Sequence, residues 1–166
     1  MALGQPAPMA SGQSVVPIVV DCFQRLDGLW RKPYSEKNVE LCDTILRDIR
    51  NIAGREYDRS SDPLALLVQA YCNRYLFELE KASEQIEVLL KKSSALDERA
   101  QWSIRLLASD IYLQMGKNLN ALKVISQDSE HWAKPAMSDL AFHALFANGL
   151  WKQINALQQT IFENDE

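Results

Sequence analysis

Apolar residues recur along most of the chain at three- and four-residue steps, the spacing that lines one face of an α-helix. The clearest stripe consists of Val39, Cys42, Ile45, Leu46, Ile49 and Ile52. Further stripes follow over residues 64–79, 82–90, 102–115, 119–125, 137–145 and 151–162. No stretch after residue 20 has the two-residue alternation of a strand. The pattern predicts an all-α protein of about eight helices, with short connectors that favour antiparallel neighbours.

Residues that cap helix N-termini precede several of these stripes. Ser35 and Asp62 each carry a side-chain oxygen that can accept a hydrogen bond from a free N–H of the first turn. Pro63 suits the first helical position, where the N–H that it lacks would have no partner. Ser94 and Asp97 have the spacing of a capping box, which predicts a helix starting at Ser94.

Glycines close four of the stripes, at positions 28, 54, 116 and 149. A residue without Cβ reaches the left-handed conformation that ends a helix at little steric cost. We therefore expect Gly28 to end the first helix and Gly54 to end the second. Gly116 and Gly149 are expected in tight turns between consecutive helices.

Residues 15–20, with the sequence VVPIVV, admit two interpretations. A helix capped by Ser14 tolerates Pro17 in its first turn, whereas the β-branched residues favour a strand; we prefer the helix. The run ends at Asp21 and has no basic leader, so we expect neither a signal peptide nor a membrane span. Residues 1–13 are small, polar and rich in Pro and Gly, which predicts a disordered tail.

Composition and charge narrow the classes of function. The 166 residues, 47% hydrophobic and 24% charged, are enough for one soluble domain with a sizeable core. The net charge is −4 without a concentrated basic face, which disfavours nucleic-acid binding. Three cysteines and two histidines cannot supply a zinc site at the usual spacings. Buried, reduced thiols in a cytoplasmic protein are expected.

The chain carries no motif that indicates catalysis. It lacks a phosphate-binding glycine loop, HExxH and GxSxG. His143 lies in a mainly apolar helix, where a surface or groove position is a simpler interpretation than a general base. Cys22, Cys42 and Cys72 lie on or beside helical stripes and are expected to be inert packing residues. We therefore predict no catalytic residue, metal site or cofactor.

Residues of the central region stand at the intervals of a known repeat. They are an aromatic residue, a turn glycine, a small residue and a large apolar residue, namely Tyr112, Gly116, Ala121 and Ile125. The unit before them is fitted by Ala70, Ala82 and Ile86, and the unit after by Leu145, Gly149 and Trp151. Residues 62–162 thus resemble, in degenerate form, the tetratricopeptide repeat, a helix-turn-helix unit of about 34 residues.

The family pattern is incomplete here. Arg105 stands where the family has tryptophan, Ser109 replaces glycine or alanine, and Ile154 replaces a small residue. The resemblance implies antiparallel helix pairs stacked as a short α-solenoid, over residues 62–92, 95–127 and 135–162. Together with an N-terminal helix pair over residues 14–54, they would form one domain over residues 14–166.

The same resemblance implies a concave groove lined by the first helix of each pair. The residues expected to face this groove are Tyr71, Arg74, Tyr75, Asp110, Leu113, Gln114, Asp139, His143 and Phe146. Some of them could instead pack against the N-terminal helices. Trp102 and Trp151 are expected in the core, whereas Trp132 could either cover the end of the core or contact a partner.

Together these features favour a non-enzymatic scaffold or adaptor that binds a peptide or helix of one principal protein partner, with a homo- or heterodimer possible. An alternative is a small chaperone resembling the tetratricopeptide-like chaperones of bacterial type III secretion, which predicts an exposed apolar patch. A third class, a helical ligand-binding protein or enzyme, would need a closed pocket with converging polar groups.

Overall fold

The computed structural model describes residues 21–164 except 23, 27, 30, 33–34 and 133–134. The elements are α1 (described residues 21–22, 24–26 and 28–29), α2 (Glu36–Ser60), α3 (Pro63–Tyr75), α4 (Leu79–Lys92), α5 (Glu98–Gln114), α6 (Asn118–Ile125), α7 (Pro135–Ala147) and α8 (Trp151–Asn164). Short 3-10 turns follow α4 (Ser93–Ala95) and α6 (Ser126–His131). The described ranges contain no strand, so the all-α prediction is confirmed for them. The predicted tail and the VVPIVV segment lie outside the described residues.

Two predicted helix starts are confirmed and one is wrong. Ser35 accepts a hydrogen bond from a backbone N–H of α2 at 3.3 Å, and Asp62 accepts one from α3 at 2.9 Å. At the start of α5, however, Asp97 is the capping residue and accepts from the N–H of Ala100 at 2.8 Å. Ser94 lies in the preceding 3-10 turn, which places Asp97 directly before the helix.

Neither Gly28 nor Gly54 ends a helix, because both are helical residues within α1 and α2. Helix α2 continues to Ser60, and Ser61 then adopts the left-handed conformation with φ 54°. A Cβ on Gly54 would lie 2.6 Å from the side-chain nitrogen of Gln69 on α3. Gly54 therefore permits a close approach of α2 and α3, a role that the apolar stripe could not reveal.

The three turns α3–α4, α5–α6 and α7–α8 have the same geometry. Each has one left-handed residue, namely Phe77 (φ 59°), Gly116 (φ 69°) and Gly149 (φ 69°). In each turn the next N–H bonds to the carbonyl five residues back, as in Glu78 to Asn73 (2.9 Å), Lys117 to Tyr112 (2.8 Å) and Leu150 to Leu145 (3.0 Å). This is the Schellman motif, which satisfies the last carbonyls of the preceding helix. The predicted roles of Gly116 and Gly149 are confirmed.

The turn geometry predicts opposite effects at equivalent positions. Phe77→Gly is expected to raise the free energy of unfolding by about 1 kcal/mol, because a left-handed conformation strains any residue with a Cβ. The Phe77 side chain is 78% exposed, so little packing is lost. Gly116→Ala is expected to lower the free energy of unfolding by about 1 kcal/mol. Urea unfolding of both variants tests this, and two changes of the same sign would contradict it.

The helices pack in sequence order around three apolar clusters. Consecutive helices from α2 to α8 contact one another, and α5 also contacts α3 and α7. The N-terminal cluster joins α1, α2 and α3, the central cluster joins α3 to α6, and the C-terminal cluster joins the end of α6 to α7 and α8. Ala82 and Ala121 are fully buried, and small residues at these points let paired helices approach closely. Because α5 contacts both α3 and α7, these three helices form a row.

A buried polar network ties α2 to the first helix pair. Asn73 is 2% exposed and accepts a hydrogen bond from Arg50 at 3.3 Å. It donates to Gln85 at 2.8 Å, and Gln85 donates to Gln69 at 2.9 Å. Arg50 also contacts Glu78 at 2.7 Å. Because the buried amide has both donor and acceptor partners, the network fixes the position of α2 against α3 and α4.

Of the two tryptophans predicted in the core, one is on the surface. Trp102 packs against the C-terminal cluster. Trp151 is 58% exposed, because it begins α8 directly after the turn at Gly149 and that helix buries Leu157 instead. None of the described helices is both long and apolar enough to cross a membrane.

Candidate protein-interaction groove

A groove of about 620 Å³ lies along the row formed by α3, α5 and α7. Its lining consists of Leu67, Val68, Tyr71, Arg74, Tyr75, Ser103, Leu106, Leu107, Asp110 and Leu140. Its size is that of an ordinary ligand or peptide site, and most of its walls are aliphatic or aromatic. Four of the ten residues predicted to bind a partner, Tyr71, Arg74, Tyr75 and Asp110, are among those that line it.

The equivalent turns explain why these residues share one face. Arg74, Leu113 and Phe146 hold the same position in their helices, because the carbonyl of each accepts the N–H of the left-handed turn residue at 3.0–3.1 Å. Three residues earlier, the equivalent positions hold Tyr71, Asp110 and His143. Since residues three and four apart lie on the same side of a helix, the groove face recurs on α3, α5 and α7.

Aromatic side chains form the α3 wall of the groove. The rings of Tyr71 and Tyr75 lie 4.6 Å apart at an interplanar angle of 45°. The guanidinium carbon of Arg74 lies 4.3 Å from the centre of the Tyr75 ring, within the range of a cation–π interaction. Burial and a hydrogen bond with Tyr75 raise the pKa of the Tyr71 phenol.

An ion pair crosses the groove floor from α3 to α5. Arg74 donates two hydrogen bonds to Asp110, from Nε to Oδ2 and from Nη2 to Oδ1, the latter at 3.1 Å. Gln114 donates to Asp110 at 3.1 Å from one turn further along α5. Burial opposes the charge on Arg74, but the hydrogen bond and charge of Asp110 outweigh it and raise the pKa of the guanidinium. The ion pair therefore adds no net charge to the groove.

The α7 residues predicted for this face lie beyond the groove itself. Asp139 and His143 are exposed. Phe146 is 64% exposed and packs edge-to-face against Trp151, with ring centroids 5.2 Å apart. Leu140 is the α7 residue that reaches the groove lining.

Two of the predicted binding residues have packing roles. Leu113 packs against both the central and the C-terminal clusters. Trp132 packs against the C-terminal cluster, and its Nε1 donates to the carbonyl of Ile125 at 2.9 Å. Trp132 thus covers the end of the core after α6, which was one of its two predicted roles.

Sequence reasoning missed the aliphatic part of the groove. The missed lining residues are Leu67, Val68, Ser103, Leu106, Leu107 and Leu140. Leu67 and Leu106 each lie four residues before a predicted groove residue, on the same helical face. That spacing was the available signal, but an apolar stripe does not distinguish a core side chain from one that lines a groove.

The three cysteine thiols are not part of the groove lining. Cys42 and Cys72 are buried and Cys22 is half-buried, and all three are free thiols packed in the N-terminal cluster. In the part of the chain that the structure describes, no three or more His, Cys, Asp or Glu side chains are placed to hold a metal ion.

Burial of the Cys72 thiol makes the stability of the protein depend on pH in the alkaline range. Burial raises the pKa of the Cys72 thiol from an ordinary 9.0 to about 12. Because the folded value is the higher one, this contribution to stability is present below pH 9 and is lost as the pH rises towards 12. Between pH 9 and 10.5 the free energy of unfolding should fall by up to about 2 kcal/mol from this thiol alone. Urea unfolding of the protein and of Cys72→Ala across that range tests this; equal slopes would contradict it.

Comparison with known proteins identifies no relative of this chain. No family model matches it, and no curated protein or solved structure matches it. Its function must therefore be argued from its own residues.

Proposed function

We propose that this chain is a protein–protein interaction module that holds an apolar segment of one principal partner in the groove along α3, α5 and α7. The observation that carries the proposal is an open groove with largely apolar walls and one internally neutralised ion pair in its floor. Binding of a partner that removes this apolar surface from water lowers the free energy of the system. The protein would act as a scaffold or adaptor.

The finer architecture that we propose is a short solenoid of tetratricopeptide-like helix pairs. Three turns of equal geometry and the row of first helices support it. In such an arrangement the first helices line the concave, partner-binding face. The groove lies along those helices, as that architecture requires.

Affinity capture from native lysate with the intact chain tests the function. The wild-type chain should retain one stoichiometric protein, and Tyr71→Lys, Arg74→Glu and Asp110→Lys should each lose it. Arg59→Glu reverses a charge on the exposed surface of α2 and should retain it. Circular dichroism must show that each variant is folded. A partner retained equally by all the variants, or no partner for a folded wild-type chain, would refute the proposal.

A chaperone that shields an apolar segment of its cargo is a second candidate. Large apolar side chains are exposed in or beside the three equivalent turns, namely Phe77, Leu119, Phe146 and Trp151. A cargo-free chaperone should self-associate through such surfaces. Sedimentation velocity over a hundredfold range of concentration distinguishes the two, because a scaffold should keep one defined state.

A further inference from the structure

The polar side chains of the groove lining already have partners within the chain. Arg74 and Asp110 bond to each other. Ser103 donates to the carbonyl of Arg99 at 3.0 Å. Tyr71 packs against Tyr75 with tilted rings, and both residues have interactions within the chain. The helical backbone that carries these residues is internally bonded as well. The lining therefore offers an incoming chain few unengaged donors or acceptors.

The small number of unengaged donors and acceptors in the lining favours one conformation of the segment that binds there. An extended segment brings backbone N–H and C=O groups that would lose water without gaining partners, which is unfavourable. An α-helix satisfies its own backbone groups and presents only side chains. Helix-in-groove binding is a general recognition mode, which is read out through apolar residues at helical spacing.

The charges in the groove and the length of its face determine the character of the residues with which a bound helix contacts it. Because Arg74 and Asp110 neutralise each other, the contacting stripe needs no net charge, and an unpaired charge there would be desolvated without compensation. Beyond the groove lining, Phe146 holds on α7 the position that Arg74 holds on α3, and its exposed ring packs against Trp151. Packed helices lie about 8–10 Å apart, so the path from α3 to α7 measures about 16–20 Å, or about 11–13 residues of helix at 1.5 Å per residue.

We infer that the occupant is an amphipathic α-helix of a partner protein, about 11–13 residues long, with an uncharged apolar stripe at three- and four-residue steps along its whole length. This inference rests on the proposed function of the groove. One part of the stripe contacts Tyr71, Leu106 and Leu140, and the other end contacts Phe146 and Trp151.

Selection from a phage-displayed library of random 20-residue peptides on the immobilised intact protein tests the inference. Selected peptides should share apolar residues at three- and four-residue steps and gain helicity by circular dichroism on binding. A proline in the middle of the peptide should abolish binding. On the protein side, Ser103→Arg should weaken binding about 100-fold, and Phe146→Ala, at an exposed position, should weaken it about tenfold.

The alternative outcomes separate the two proposals. Peptides with alternating or Pro-rich patterns that still depend on Ser103 would overturn the helical occupant and leave the groove function intact. Peptides indifferent to Ser103→Arg, or the recovery of none, would overturn both. A dimer of the intact chain that Ser103→Arg dissociates would identify a second copy as the occupant and overturn the inferred partner helix.

Discussion

Replacement of Asp128 by alanine is expected to lower the free energy of unfolding by about 3–5 kcal/mol. Asp128 is 5% exposed at a kink in the 3-10 segment after α6 and receives two hydrogen bonds from Arg105 on α5, one of them at 2.7 Å. The substitution leaves the Arg105 guanidinium, whose side chain is only 14% exposed, with a single long contact to Gln101 at 3.4 Å. An unpaired buried charge is among the costliest defects in a fold. Urea unfolding followed by circular dichroism measures the change.

Two further variants show whether the buried charge is the cause. Arg105→Met with Asp128→Leu removes both charges and should recover most of the lost stability, because well-packed apolar residues replace buried ion pairs with little net change. Glu56→Ala breaks the pair with Arg59, whose side chain is largely exposed, and should cost no more than about 0.5 kcal/mol. A double variant as unstable as Asp128→Ala would show that Asp128 acts through something other than Arg105.

The ion pair between Arg105 and Asp128 is an example of a contact that could not be predicted from the sequence. Asp128 belongs to a polar stretch that reads as an ordinary break between helices, and Arg105 reads as a departure from a repeat pattern. Their contact spans 23 positions and depends on how α6 packs on α5. Periodicity predicts which face of one helix is apolar, but not which polar residues from two elements meet.

Local signals were reliable where the cause of the structure was itself local. The cap at Asp62 and the turns at Gly116 and Gly149 depend on hydrogen bonds within a few residues, and they were predicted correctly. Gly54 was misread as a stop because its role depends on Gln69 of another helix. Phe77 was missed as a turn residue because a side chain with a Cβ disfavours the left-handed conformation that it adopts.

The groove was predictable in part for a similar reason. The resemblance to the tetratricopeptide repeat implied that Tyr71, Arg74 and Asp110 face one groove, and the structure places these three side chains in one groove lining. Leu106 and Leu140 could not be assigned to a groove, since the same apolar residue at the same spacing serves equally well in a core. Whether such a side chain remains open depends on the separation of α3, α5 and α7, which no single stripe encodes.

Ser103→Arg is expected to weaken partner binding by about 100-fold, equivalent to about 2.7 kcal/mol, while leaving the fold intact. Ser103 lies in the groove lining on α5, and its hydroxyl bonds only to the preceding turn of its own helix. Arginine is a good helix former, so stability should change by less than about 0.5 kcal/mol. Its long charged side chain fills an apolar groove whose own charges are already paired.

Thr44→Arg is the matched control for this variant. Thr44 is exposed on α2 and makes the same kind of bond, to the carbonyl of Glu40 at 2.8 Å, while the described groove lining includes no α2 residue. Both variants should have similar melting temperatures, but only Ser103→Arg should lose binding of the captured partner, as measured by isothermal titration calorimetry. Equal affinities would place the binding surface outside the groove. A loss in both variants would indicate a general effect of introducing arginine on a helix surface and not a block of the groove.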